Sequence, residues 1–114
     1  MIQLQALQSL LMQGDFDTEQ LWLATEKCEN DLMKESWSVA DVLQLLMTLE
    51  GPLDYYKSEW CEVSGGRCLP CDAYRTPYDA QRMCRHPQGL PVYIKFSIEV
   101  SETLTIALVS CHAA

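Results

Sequence analysis

The chain has 114 residues, of which 48% are hydrophobic and 21% are charged, and this balance is typical of a soluble globular protein. Its length predicts a single domain, and its apolar runs are too short to span a bilayer. The formal net charge of −8 weakens non-specific attraction to nucleic acid, because neutralisation of phosphates supplies most of that binding.

The acidic excess lies entirely in the N-terminal half of the chain. Residues 1–54 contain ten acids but only Lys27 and Lys34, whereas residues 55–114 contain six acids, six bases, His86 and His112. The C-terminal half can therefore present a locally positive site. The N-terminus has neither a basic leader nor a cleavage site, which predicts a cytoplasmic protein with six reduced cysteines and no membrane contact.

Two helices are predicted at the start of residues 1–52. The first ends at Gly14 and has four leucines at helical spacing: Leu4, Leu7, Leu10 and Leu11. The second begins at Asp17, with Gln20 completing a capping box, and ends near Asn30. Its apolar stripe is Leu21, Ala24 and Cys28.

A third helix has the clearest boundaries. Ser38 is a natural N-cap with Asp41 at the third helical position, and Trp37 precedes it as a hydrophobic staple. Gly51-Pro52 is predicted to end the helix. One face carries Val42, Leu45, Leu46 and Leu49.

From residue 53 onwards the hydrophobic period changes to two. One hairpin is predicted around Ser64-Gly65-Gly66 and a second around Ser101-Glu102-Thr103, with an irregular stretch over residues 76–90 between them. Helices followed by paired strands predict an α+β fold, in which the N-terminal helices pack on a twisted antiparallel sheet formed by residues 53–114.

The strand Pro91–Val100 has two contrasting faces. Ile94, Phe96, Ile98 and Val100 belong in a core, whereas Tyr93, Lys95, Ser97 and Glu99 form the other face. A phenol, an ammonium group and a hydroxyl in one row form either a surface that contacts a ligand or an ordinary exposed face of a sheet. The same alternation places Tyr55, Lys57, Glu59 and Cys61 on one face of an earlier strand.

The ordered motifs resemble those of the MqsR toxins, the RelE-like mRNA interferases known as motility quorum-sensing regulators. The motifs are, in order, LQALQSLLMQG, VLQLLMTL, LDYYKS, DAYRTP, GLPVYIKFSIEV and LTIALVSCH. The resemblance implies a RelE-like fold and an endoribonuclease that cleaves mRNA. It also implies a toxin of a bacterial toxin–antitoxin pair, whose partner is a cognate antitoxin.

The resemblance also implies which residues act. Lys57 matches the catalytic lysine of the family and Tyr93 its catalytic tyrosine, while His112 stands where the family has a lysine and Cys71 where it has a glutamine. His112 is the candidate general acid, since imidazole suits proton transfer near neutral pH. The candidate RNA-binding residues are Lys95, Arg75, Tyr74 and Arg67.

In RelE-like cleavage the ribose 2′-OH attacks the phosphate, and no metal or other cofactor is required. A base removes the proton of the 2′-OH, an acid protonates the departing 5′-oxygen, and cations stabilise the phosphorane. Lys57 would serve as the base or as phosphate charge, and Tyr93 would position the phosphate. Tyr93, Lys95 and Ser97 would face RNA, with Lys57 meeting them across the sheet.

Two alternatives remain open. Four cysteines are spaced so that they, with His86 nearby, could bind a structural zinc ion: Cys61, Cys68, Cys71 and Cys84. Free thiols packed as small hydrophobic groups explain the same residues more simply. The acidic helical half could instead be a non-enzymatic protein-binding module or inhibitor on the same scaffold, with solubility as the ordinary role of such charges.

Overall fold

The computed structural model describes residues 4–13, 20–100 and 104–113, and these residues form an α+β fold. The helices in this part of the chain are α1 (Leu4–Gln13), α2 (Glu26–Glu35), α3 (Val39–Thr48) and α4 (Gly51–Asp54). The strands are β1 (Leu21–Leu23), β2 (Tyr55–Glu62), β3 (Cys68–Asp79), β4 (Cys84–Arg85), β5 (Leu90–Val100) and β6 (Leu104–Ala113). They form one sheet in the order β1-β6-β5-β3-β2, with β4 paired to β3. None of the described helices is long and apolar enough to cross a membrane.

The predicted second helix is wrong in its position. Leu21–Leu23 form β1, which runs parallel to β6, so the sheet is mixed rather than purely antiparallel. The helix begins only at Glu26, because the Thr25 hydroxyl caps it by accepting a hydrogen bond from the Cys28 amide at 3.0 Å. It continues past Asn30 to Glu35. Gly14 and Asp17, where a helix end and a cap were predicted, lie outside the described residues.

The prediction for α3 is confirmed at its start and along its buried face. The Ser38 amide donates to the Asp41 carboxylate at 2.8 Å, and the Asp41 amide donates back to the Ser38 hydroxyl at 3.2 Å, which completes a capping box. The four predicted apolar residues of its face are all buried. The helix ends at Thr48, and Gly51-Pro52 begins the short helix α4 instead of ending α3.

The two hairpins place four long strands side by side. Gly65 and Gly66 form the β2–β3 turn with φ angles of 92° and 82°, which glycine adopts without steric strain. Part of the predicted irregular stretch over 76–90 is strand, since β3 reaches Asp79 and β4 pairs with it. The strands of the second hairpin are confirmed, while its turn at 101–103 lies outside the described residues.

The helices cover one face of the sheet. Ile94 and Phe96 on β5 are fully buried against this helical layer, where Tyr74 and Leu46 also lie. A smaller buried cluster, which includes Cys71 and Val109, lies apart from it. The alternation of β5 directs Tyr93 and Lys95 away from the helical layer, so these two side chains belong to the opposite face.

A partly buried ion pair fastens strand β4 to helix α4. The Arg85 guanidinium forms a two-pronged contact with the Asp54 carboxylate, one branch of which measures 2.8 Å, and it also donates to the Thr76 hydroxyl at 3.0 Å. Asp54 additionally accepts the Glu50 amide at 2.8 Å. This carboxylate therefore organises both the start of α4 and the approach to β4.

Gly89 occupies a position where the chain passes too close to β3 for any side chain. A Cβ at Gly89 would lie 2.6 Å from the backbone carbonyl of Tyr78. We expect Gly89→Ala to lower the free energy of unfolding by about 1–3 kcal/mol, because the backbone must shift to relieve the overlap. Urea denaturation of the purified variant measures this loss.

The matched control for this change is Gly51→Ala. A Cβ at Gly51 would lie at an ordinary 3.9 Å from the Leu4 side chain. We expect that variant to keep or slightly raise the stability of the protein, because alanine loses less backbone entropy on folding. Equal stabilities for the two variants would contradict the close approach at Gly89.

Candidate functional site

Strand register brings most of the predicted site residues onto one face. Lys57 on β2 lies opposite Ala73 on β3, which lies opposite Lys95 on β5. Two residues further along the same face, Arg75, Tyr93 and His112 are neighbours on β3, β5 and β6. We call the surface that carries Lys57, Arg75, Tyr93, Lys95 and His112 the basic face.

Three aromatic rings run across the basic face. Tyr93 stacks on His112, with ring centroids 5.2 Å apart and an interplanar angle of 26°, and Tyr56 meets Tyr93 edge-on at 6.3 Å. The Arg75 guanidinium lies 5.4 Å from the Tyr56 ring centroid and the Lys57 ammonium lies 5.6 Å from it. Rings on which bases can stack, bordered by cations, are what single-stranded nucleic acid requires.

Tyr56 reaches this face because of an irregularity in β2. The register with β3 shifts between Tyr55 and Lys57, and the extra residue of such a bulge redirects the neighbouring side chains. Tyr55 consequently turns to the helical side, where its ring meets that of Tyr74 edge-on at 5.8 Å. The prediction that Tyr55 shares a face with Lys57 is therefore wrong.

Glu59 connects the two lysines of the basic face. The Lys95 ammonium donates to the Glu59 carboxylate at 2.8 Å, and Lys57 lies 3.3 Å from the other carboxylate oxygen. The hydrogen bond from Lys95, followed by that from Lys57, lowers the pKa of Glu59. Burial alone would lower the pKa of Lys95, but its hydrogen bonds to Glu59 and Cys61 outweigh that effect and raise it. Lys95 therefore remains a fixed positive charge.

A shallow cavity of about 360 Å³ lies on the basic face, and its volume suits a phosphate with part of a nucleotide. Its lining consists of Lys27, Tyr56, Arg75, Tyr93, Lys95, Ser110 and His112. Lys27 comes from helix α2 and adds a third cation to the two from the sheet. None of the described residues that line this cavity is acidic, although Lys95 and Lys27 pair beside it with Glu59 at 2.8 Å and Asp31 at 2.9 Å.

Three residues predicted to face RNA are not placed on an accessible part of this site. Tyr74 is 1% exposed and stacks on Phe96 in the helical core at 5.6 Å, because even-numbered residues of β3 face the helices there. Arg67 lies near the β2–β3 turn, beside Glu99 at 3.5 Å and over the Trp22 ring. Ser97 lies on β5 beyond Lys95 but is buried.

The four cysteines of the zinc alternative do not come together. Cys68 and Cys71 lie at the start of β3, whereas Cys84 pairs with Asp79 at its end. The eight residue-to-residue steps from Cys71 to Asp79 span about 27 Å of strand. Burial, followed by the neighbouring Cys61, raises the pKa of Cys71 to about 12. Within the described ranges no cluster of histidine, cysteine and acidic residues could hold a metal ion.

Sequence reasoning missed three residues of the site: Lys27, Tyr56 and Glu59. Lys27 was placed in the wrong part of a misplaced helix, and Tyr56 was assigned to the opposite face because no local signal marks the bulge. The alternation of β2 did place Glu59 beside Lys57. Lys95 reaches the same carboxylate only because β3, which pairs with β2, also pairs with β5.

The chain matches no family model, no curated protein and no solved structure in the comparisons made with known proteins. The resemblance to the MqsR toxins therefore stays a prediction from the quoted motifs.

Proposed function

We propose that this protein is an endoribonuclease that cleaves mRNA through attack by the ribose 2′-OH. One observation carries the proposal: a row of three stacked or edge-on rings, Tyr56, Tyr93 and His112, is bordered by Lys57, Arg75 and Lys95 on one face. Rings can hold the bases next to the scissile phosphate, and cations can neutralise the phosphate itself.

The side chains of the basic face suggest a cleavage scheme in which Lys57, which does not line the cavity, moves towards the bound phosphate. The 2′-oxygen attacks phosphorus, the bond from phosphorus to the 5′-oxygen breaks, and the products are a 2′,3′-cyclic phosphate and a 5′-hydroxyl. Lys57 serves as the base for the 2′-OH or as phosphate charge, and Tyr93 positions the phosphate by a hydrogen bond. His112 donates the proton that the departing 5′-oxygen takes up.

Lys95 has a different role from Lys57 in this scheme. Its side chain is 15% exposed, its ammonium is already hydrogen-bonded to Glu59, and its raised pKa keeps it protonated. Such a group does not accept a proton, but it stabilises the additional negative charge of the phosphorane. The more exposed Lys57, at 46%, is the one that can move towards substrate.

The wider biological role follows from the resemblance to the MqsR toxins. We place the protein in a bacterial toxin–antitoxin pair, in which it stops growth by cutting transcripts until a cognate antitoxin covers the basic face. Most of the acidic charge of the helical half then serves solubility. The cytoplasm, where mRNA is found, is the compartment this role requires.

The experiment that tests the function is incubation of an unstructured mRNA fragment with the purified protein, in the presence and absence of EDTA. We expect discrete fragments that end in 2′,3′-cyclic phosphate, unaffected by EDTA, and no cleavage of a 2′-O-methylated RNA. RNA that stays intact with the protein alone and with added ribosomes would contradict the proposal. That outcome would favour the non-enzymatic acidic binding module.

A further inference from the structure

A second and larger cavity, of about 540 Å³, lies where the ends of β3 and β6 meet the start of β5. Its floor is apolar, because Tyr78, Val92 and Cys111 line it and each is at most 5% exposed. Trp37 forms one wall and packs on Tyr78, with ring centroids 6.0 Å apart. A floor and wall of this kind suit a flat aromatic group, which gains from contact with rings on its faces.

The second cavity adjoins the basic face through a shared residue. His112 lines both cavities, and on the other side it stacks on Tyr93. A nucleotide whose phosphate lies against Tyr93 and His112 would therefore present its neighbouring base to the second cavity. The candidate general acid stands between the two, as a group that protonates the leaving nucleotide requires.

The polar rim of the second cavity consists of Glu35, Asp79, Gln81, Arg82, His86 and Gln88. Two of its possible donors already have partners, since the Arg82 guanidinium lies 3.7 Å from the Asp79 carboxylate and His86 Nδ1 accepts the Gln88 amide at 3.1 Å. The Asp79 carboxylate is engaged in its own turn, where one oxygen accepts the amides of Gln81 and Arg82 at 3.0 and 3.1 Å. Glu35, in the last turn of α2, is exposed and forms no ion pair with the residues that the structure describes. A carboxylate accepts hydrogen bonds and has none to donate.

We infer that the second cavity is a nucleobase subsite that selects bases with an exocyclic amino group. Adenine, cytosine and guanine each present an amino group that can donate to the Glu35 carboxylate. Uracil has no amino group, and its single ring donor, N3–H, is flanked by two carbonyl oxygens that a carboxylate repels. The inference rests on the proposed function for its choice of RNA as the ligand, but it concerns binding and not cleavage.

The test uses dinucleotides that cannot be cleaved. Their first residue is 2′-deoxyuridine and their second carries adenine, cytosine, guanine or uracil, and each is titrated into the protein while the indole N–H signals are followed by NMR. We expect the Trp37 signal to shift and that of the distant Trp60 to stay. We expect an amino-bearing base to bind about tenfold more tightly than uracil, the usual size of a well-formed base contact.

Glu35→Ala separates recognition by the carboxylate from packing on the rings. We expect this variant to bind all four dinucleotides with similar affinity and to retain its thermal stability, because Glu35 lies on the surface of α2. Glu29→Ala, on the same helix but outside the cavity lining, should keep the tenfold preference. This control removes the same charge from the same element.

The outcomes distinguish the subsite from the proposed function. Failure of every dinucleotide to bind, binding without base preference, or an unmoved Trp37 signal would each overturn the subsite, whether or not mRNA is cleaved. Selective binding that depends on Glu35, in a protein that leaves mRNA intact with and without ribosomes, would establish the subsite and remove the cleavage proposal.

Discussion

Replacing Lys57 with alanine is expected to lower the rate of mRNA cleavage by about 10²–10³-fold, the usual cost of losing one group that stabilises charge in a transition state. Lys57 is the exposed lysine of the basic face, 3.3 Å from Glu59 and close to the Tyr56 ring. Its loss removes either the base for the 2′-OH or a cation at the phosphorane. Single-turnover cleavage of a labelled RNA measures the change.

Lys34→Ala is the matched control for this variant. Lys34 is an exposed lysine in the last turn of α2, whereas Lys57 lies beside the Tyr56 ring on the basic face. We expect the Lys34→Ala variant to cleave RNA at the wild-type rate. Its net charge is the same as that of Lys57→Ala, so the comparison separates position from charge. Full activity of Lys57→Ala, or an equal loss in both variants, would remove Lys57 from the catalytic scheme.

Asp54→Ala is expected to cause the largest loss of stability of any single change considered. The Asp54 side chain is 2% exposed and holds both Arg85 and the Glu50 amide. Its removal leaves the Arg85 guanidinium without its partner, a change that typically costs 3–5 kcal/mol in a fully buried pair. Because Arg85 is 26% exposed and can turn to solvent, we expect a loss of about 2–3 kcal/mol.

Urea denaturation of Asp54→Ala beside Asp31→Ala tests this expectation. Asp31 pairs with Lys27 at 2.9 Å on the surface of α2, and surface pairs of this kind contribute about 0.5 kcal/mol or less. A loss for Asp54→Ala as small as that for Asp31→Ala would show that the partly buried pair does not hold strand β4 to helix α4 in solution.

Elements whose signals are local could be predicted from the sequence. The cap and apolar face of α3 follow from Ser38, Asp41 and a leucine-rich stripe, all within one helix. The β2–β3 hairpin follows from Gly65-Gly66 between two runs of period two. In each case the residues that determine the structure lie within a few positions of one another, so tertiary contacts need only agree with the local preference.

Elements that depend on distant partners could not be predicted. Leu21–Leu23 form a strand because they align with residues 106–108 of β6, more than eighty positions away. The shift at Tyr55 and Lys57 has no mark in the sequence, yet it exchanges the faces of two tyrosines. Short apolar runs read equally as helix or strand until a partner strand is known.

The residues of the candidate site divide in the same way, into those that a local pattern places and those that depend on distant strands. Alternation along β5 was enough to place Tyr93 and Lys95 on one face, and the order of the strands then brought Arg75 and His112 beside them. The sequence suggested that Tyr74 and Arg67 belong to the site. Strand alternation buries Tyr74 instead, and Arg67 lies near the β2–β3 turn beside Glu99, away from the other site residues. The acidic net charge also says little about this face, whose cavity contains three cations.

The most direct test of the account is to map where RNA binds, by following the backbone amide NMR signals during titration with a 2′-O-methylated single-stranded RNA. We predict that the largest shifts occur at Tyr56, Arg75, Tyr93 and His112, with little change on α1 and α3. Shifts confined to the helices, or no shifts at low salt, would contradict the central claim that the basic face binds RNA.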